Sequence, residues 1–274
     1  MRGLQILART LSVPAPIGRS KARWQYHPRS DRHSKVACWA ILFDLLQESA
    51  LLRQHISGGS VVFGINHEMR DFKLNRTKNL DLVLCTPGGT VRNARSLLDL
   101  AERYEIRLDE DERGLLGQLP AIHEGPVGTV HCAVEAKACM TEHMKARPRL
   151  YDELNSSHQT IHGSSDMVIA VAFAMVNIST EFNSPGRHGQ RSIHRQPNVT
   201  VSVIEKLEEL PRRIKTGQEG FDAMAIVVVE CRNDGQTPVR VVDTPPAPPR
   251  GDIFHYESMV RRVAHLYDSR FPRA

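Results

Sequence analysis

Apolar residues recur at helical spacing over residues 34–55 (SKVACWAILFDLLQESALLRQH), and Gly58 and Gly59 close the run, so the pattern predicts one long helix. The apolar stretches that follow are shorter and rich in Val, Ile and Leu. Residues 61–65 and 80–85 read as strands, with a polar loop over 66–79 between them and Thr86-Pro87-Gly88-Gly89 ending the second. Helical periodicity returns over 91–104 and 109–119. A third strand is predicted over 129–139, a helix over 148–161 and a continuously apolar strand over 167–176. A loop rich in Gly, Pro, Arg and His (183–198) precedes a helix (199–214) and a further buried strand (223–230). The proline-rich stretch 245–249 reads as a stiff spacer before a last amphipathic helix, 252–267. Helix, three strands, helix, strand, helix, strand is the order of an α/β core with a mixed sheet.

Composition narrows the class. The 274 residues are 41% hydrophobic and 24% charged, ordinary values for a globular chain. No apolar run approaches the roughly 20 residues that a membrane-spanning helix needs, so no membrane partner is expected. Net charge is +5, and it is unevenly placed. Arg2, Arg9, Arg19, Lys21, Arg23, Arg29, Arg32 and Lys35 face a single acid, Asp31, in the first 35 residues. Residues 1–33 are therefore expected to be a flexible basic arm suited to phosphate contact; the same composition also suits an organelle transit peptide. The five cysteines are odd in number and dispersed, which reads as buried thiols of a reducing, cytoplasmic compartment.

The chemistry concentrates on two strands. In an extended third strand Glu135 and Lys137 share a face with His131, Ala133 and Cys139, while Cys132, Val134, Ala136 and Ala138 take the other. Asp81 interrupts the apolar strand LDLVL and shares a face with Val83 and Cys85. Ionisable groups in half-buried strands are costly unless partnered. If the two strands are neighbours, Asp81 and Glu135 can hold a hard divalent cation through oxygen, with Lys137 neutralising charge at an attacked phosphate. A structural ion pair of Lys137 with Glu135 or Asp81 accounts for the same residues without chemistry.

Other motifs give little. His131, Cys132, Cys139 and His143 could form a zinc set by residue type, but Cys132 faces away from its neighbours and no C-x-x-C pair exists. His67-Glu68 and His123-Glu124 lack the second histidine of H-E-x-x-H. No phosphate-loop, dinucleotide or serine-hydrolase motif occurs, so no nucleotide cofactor is expected.

Leu80-Asp81 followed by Glu135-Ala136-Lys137, placed on the second and third strands of a helix–three strands–helix–strand order, resembles the PD-(D/E)xK nuclease superfamily. The resemblance covers residues 34–176. It departs from the family in lacking the proline and in the long gap between the acids. It implies a restriction-endonuclease-like mixed β-sheet core flanked by helices (34–235), with an inserted helical segment at about 91–126 between the two catalytic strands. Residues 236–274 would then be an added spacer and helix. It further implies Mg²⁺-dependent hydrolysis of phosphodiesters, with Mn²⁺ able to substitute. Asp81, Glu135 and Lys137 would be catalytic. The metal would rest on Asp81, Glu135, the Ala136 carbonyl and, as the acid on the first helix, Glu48. Double-stranded DNA would be the substrate and a homodimer would suit cutting of both strands. Candidate nucleic-acid contacts are Lys78, Lys145, Arg147, Arg149 and Asn155 around the site, and Arg187, Arg191 and Arg195 in the acid-free loop.

Overall fold

The computed structural model describes residues 1–17, 22–91, 94–185 and 190–273. Arg187 lies outside the described residues. The chain begins with α1 (Gly3–Ser12), two short paired strands, β1 (Ala15–Pro16) and β2 (Arg23–Trp24), and α2 (Arg32–Glu48), followed by α3 (Ala50–Ser57). A hairpin of β3 (Val62–Asp71) and β4 (Arg76–Pro87) comes next, then α4 (Leu97–Arg103), α5 (Glu110–Gln118) and β5 (Val127–Cys139). The second half runs α6 (His143–Ser164), β6 (Ile169–Asn177), a small hairpin of β7 (Glu181–Ser184) and β8 (Gln190–Ile193), and α7 (Asn198–Glu208). It closes with β9 (Ala223–Glu230), β10 (Arg240–Val242) and α8 (Tyr256–Arg270).

Six strands form one mixed sheet in the order β10-β9-β6-β5-β4-β3. β3, β4 and β5 are an antiparallel meander; β6 pairs parallel to β5, and β9 parallel to β6. Every residue of β6 is buried, as expected of a central parallel strand covered on both faces. Cys132, Val134 and Ala136 of β5 pack with α1, α2 and α8; Ala133 and Cys139 pack with α6 and α7 on the other side. The result is a helix–sheet–helix sandwich.

α2 is buried at every position from Ser34 to Leu46, because α1, α4, α8 and the sheet surround it. A helix that is apolar all round belongs in such a place. The long helix expected over 34–55 breaks at Ser49, whose backbone is extended and whose hydroxyl accepts the Leu52 N–H to cap α3. The expected loop over 66–79 is a hairpin instead. Its residues pair in register from Val62↔Cys85 to Asp71↔Arg76, and one face of this edge ladder is exposed, so polar side chains suit it.

The basic N-terminus is not a free arm. Ile6, Leu7 and Leu11 of α1 are buried in the main core, and the Asp44 carboxylate of α2 accepts the Arg2 and Gly3 N–H groups at 2.9 Å each. Asp44 thereby satisfies the open end of a helix that has no cap of its own. Nor is the C-terminal helix an appendage: Val260, Val263 and Tyr267 of α8 belong to the same core, against β9 and α2. The segment between β4 and β5 contributes Leu97, Leu100, Ile106 and Ile122 to that core. Its end covers the sheet edge, where Phe63 donates its N–H to the His123 carbonyl and accepts from Gly125. Among the described residues no helix is long and apolar enough to cross a membrane.

Candidate active site

The β4–β5 ladder stops at Leu82↔Val134, whereas β5–β6 pairing continues to Cys139↔Val176. The strands part at Asp81. Alternation also fails there: Leu80 packs with Val83 and Cys85 on the α6 side, a place the sequence pattern assigns to Asp81. Asn66, bracketed by the pairs Ile65↔Leu82 and His67↔Leu80, takes φ of +51°. The local twist releases the Asp81 side chain from strict alternation. One carboxylate oxygen accepts the Ala136 N–H at 3.0 Å, and the other accepts Lys35 Nζ at 2.7 Å.

Glu135 and Lys137 do share a face, the one covered by α6. Lys137 Nζ lies 2.8 Å from Glu135 Oε1 and 3.5 Å from Glu153 of α6; Lys78 Nζ is 4.0 Å from Glu135 Oε1. Glu135 Oε2 is buried and has no hydrogen-bond partner among the described residues. His131 is separated from this group. A register shift between Leu84↔Cys132 and Cys85↔Val130 leaves it against Tyr267 and Phe271 near α8.

The environment drives the two acids apart. Burial works to raise the Asp81 carboxyl, but Lys35 and the Ala136 N–H outweigh it and hold its pKa below the ordinary value. Burial raises Glu135, the nearby Asp81 charge adds to this, and Lys137 only partly offsets the two. Burial likewise depresses Lys78. For Lys35 and Lys137 the opposing acids overcome burial and raise the pKa. The two carboxyls of one charged cluster are thus tuned in opposite directions.

Asp81, Ala136 and Lys137 form part of the wall of an open cleft of about 550 Å³. Lys145, Arg149 and Glu153 of α6 line one side, and Tyr26, Asp31 and His33 line the other. Lys145 and Arg149 are exposed at its rim, pairing with Glu142 and Glu153. Arg191 and Arg195 are exposed on or beside the β7–β8 hairpin, which His194 ties to Thr141 of the cleft at 3.1 Å.

Three expected contacts do not line the cleft. Lys78 turns inward, donating to the Glu153 carbonyl and Ser156 Oγ. Arg147 donates to Ser202 of α7, and Asn155 bonds His158. Glu48 is also displaced. It ends α2, 13 residues from Lys35 and hence about 20 Å along the axis from the Asp81 end, and its neighbour is Arg261. The position on α2 that reaches Asp81 is occupied by a lysine.

Lys35 and Glu153 are the site residues that sequence patterning did not single out. Lys35 has a visible signal, a charge at the start of the apolar run that becomes α2. Glu153 has none, being one polar residue among many on α6.

The carboxylates of Asp81 and Glu135, with Glu153 beyond Lys137, are oxygen groups gathered here. Among the described residues no cluster of three or more His, Cys, Asp or Glu side chains is arranged to hold a metal ion. The unpartnered Glu135 Oε2, beside Asp81, is nevertheless a buried oxygen that calls for a cation or a donor. Comparison with family models, with curated proteins and with solved structures finds no match for this chain.

Proposed function

We propose that the chain is a metal-dependent endonuclease of the PD-(D/E)xK type, acting on double-stranded DNA. The observation that carries the reading is the Asp81 carboxylate bound to the Ala136 N–H, which puts the acid of β4 at the centre of Glu135-Ala136-Lys137 on β5. The order α2, β3-β4-β5 meander, α6, parallel β6 agrees with the core that the resemblance implies, and the α4–α5 segment then reads as an insertion at the hairpin end.

Mg²⁺ would be held by Asp81, Glu135 and the Ala136 carbonyl, and the unpartnered Glu135 Oε2 fits that assignment. When bound, it would supply water activation and charge stabilisation at the leaving oxygen. Lys137 would neutralise the phosphate under attack, and Lys35 would keep Asp81 ionised and fixed in direction. Lys145 and Arg149 at the rim, with Arg191 and Arg195 on the neighbouring hairpin, would hold the flanking phosphates.

A second reading draws on the same residues. Each site acid has a lysine partner, Asp81 with Lys35 and Glu135 with Lys137, so the group is nearly neutral as it stands. That is the signature of a structural ion-pair network in a nucleic-acid-binding or scaffold protein.

Incubating the full chain with supercoiled plasmid in Mg²⁺, in Mn²⁺ and in EDTA separates the two. Metal-dependent nicking that is absent in Asp81→Ala and Lys137→Ala, with DNA binding retained, is the result expected of the nuclease. Uncut DNA in all three conditions overturns it in favour of the binding protein.

A further inference from the structure

The distal half of the β3–β4 hairpin, residues 66–79, is a two-stranded ribbon with one face anchored on α6 and the other free. On the anchored face Met69 is buried, Arg76 bonds Asp71 and Gln159, and Lys78 donates to the Glu153 carbonyl and Ser156 Oγ. The turn is held as firmly. Buried Asp71 accepts the N–H groups of Lys73 and Leu74, and Phe72 donates its N–H to the Gly163 carbonyl. This approach needs glycine at 163, where a Cβ would overlap the Asp71 carboxylate. Arg70 Nη2 bonds Asn75 Oδ1 at 2.7 Å across the turn.

The free face presents a different set of groups. Arg70 on β3, Thr77 and Asn79 on β4, and Phe72 and Lys73 at the turn are all exposed. The pair Arg70↔Thr77 sets the two strands in register, and Asn79 lies opposite Glu68, the one acid of this face. Arg70 and Lys73 therefore leave the face positive. Phe72 is 71% exposed, on a turn too well braced to fold it away. Asn79 precedes Asp81 by two residues of β4, about 7 Å, so the ribbon runs directly into the candidate site.

These groups match the edges of base pairs. Two strands about 4.8 Å apart, with their side chains, fit a DNA major groove about 12 Å wide. There arginine bonds guanine O6 and N7, asparagine bonds adenine N6 and N7, threonine bonds either, and phenylalanine packs on a thymine methyl. From Arg70 to Asn79 the face is polar, without the apolar centre of a protein–protein interface.

We propose that the 66–79 ribbon enters the major groove of duplex DNA and reads base edges through Arg70, Thr77 and Asn79. Phe72 meets a thymine methyl and Lys73 a phosphate. The proposal rests on the reading of the Asp81 cleft as a DNA site, and it adds sequence recognition to it.

The test selects duplexes from a random-sequence pool with the full chain in EDTA, so that metal-dependent cleavage is suppressed. Affinity is then measured for a selected and an unselected duplex. A short consensus is expected. Thr77→Ala/Asn79→Ala removes no charge, so it should weaken the selected duplex about tenfold or more and leave the unselected duplex and the salt slope unchanged. Arg70→Ala should relax the consensus at one position. No consensus, or a consensus indifferent to these variants, overturns the proposal. So do variants that alter self-association or binding to anionic vesicles while DNA binding stays the same. Plasmid cutting in Mg²⁺ by the same proteins keeps the two readings apart. Cutting with an indifferent ribbon defeats the ribbon alone, sequence reading without cutting defeats the nuclease alone, and a chain that binds no duplex defeats both.

Discussion

Asp81 and Ala136 stand 55 residues apart in the chain, yet the carboxylate of one accepts the main-chain N–H of the other at 3.0 Å. The bond lies just beyond the end of the ladder, whose last pair is Leu82↔Val134. Lys35 holds the second oxygen and is itself almost wholly buried, with 1% of its side chain exposed.

Because Asp81 is the carboxylate that this buried lysine bonds, Asp81→Asn should be costly. Asparagine can still accept the Ala136 N–H, but it leaves a buried ammonium without its counter-charge, a loss of about 3–5 kcal/mol. The folded-state pKa of Asp81 lies below its unfolded value, so its contribution is present above the unfolded value of about 3.9 and disappears as pH falls through the folded one. Chemical denaturation of wild type and variant should differ fully at pH 7, and the gap should narrow below about pH 4. A constant gap across that range would refute the ion-pair account. The double variant Lys35→Met/Asp81→Asn should recover part of the loss.

Glu135→Gln should act in the opposite direction on stability. The folded pKa of Glu135 is raised, so the native state favours its protonated form and loses stability as pH rises through that value. Glutamine imitates the neutral acid. Thermal melts should place the variant at or above wild type at pH 8 and show less advantage at pH 4, while metal-dependent cleavage falls to background. A variant that melts well below wild type at pH 8 would contradict the raised pKa.

Gly3 seats α1. A Cβ at that position would lie 2.5 Å from Tyr256 Oη, 2.6 Å from Asp44 Oδ2 and 2.8 Å from the Ala40 carbonyl. Gly3→Ala should cost about 1–3 kcal/mol by overpacking. Hydrogen exchange should locate the damage: faster exchange over residues 3–12 is expected, with β6 unchanged. Uniform acceleration would point to a general loss of stability.

Asp222 anchors the far side of the sheet. It is fully buried, accepts Arg213 Nε at 2.9 Å and Arg270 at 2.6 Å, and takes the Ala170 N–H. Asp222→Ala takes the carboxylate from Arg270 and leaves Arg213 with Asp166 alone, so a loss of about 3–5 kcal/mol in urea denaturation is expected. A change under about 1 kcal/mol would mean that the arginines find other partners.

Lys145 and Arg149 test the substrate surface independently of catalysis. Both are exposed, so the pair Lys145→Ala/Arg149→Ala should leave the melting temperature within about 2 °C of wild type. DNA affinity should fall, and the slope of log K against log salt should shrink by about 1 for each phosphate that is no longer neutralised. An unchanged slope would move the DNA path off the α6 rim.

Most strands and helices were legible from periodicity, and so was the anomaly of acids and a lysine within two apolar strands. The hairpin over 62–87 was not, because an edge ladder with one wet face tolerates the polar residues that also make loops. The sequence of α1 resembles a tail for a related reason. Its arginines are conspicuous in the sequence, while Ile6, Leu7 and Leu11 count only once α2 lies against them. Glu48 and Lys35 exchanged significance because both sit on α2 and only the approach of β4 decides which end meets Asp81.

Hydrophobic period is a local property, and it is enough to set where the strands run and that Glu135 and Lys137 leave β5 on one side. Convergence is not local. Lys35, Asp81, Ala136 and Glu153 meet because β4 lies between β3 and β5, parts from β5 at Asp81, and is covered by α2 on one face and α6 on the other. Strand order and the point of parting come from packing whole elements together. No periodicity within a single segment encodes them, and the buried charges find their partners only after that packing is complete.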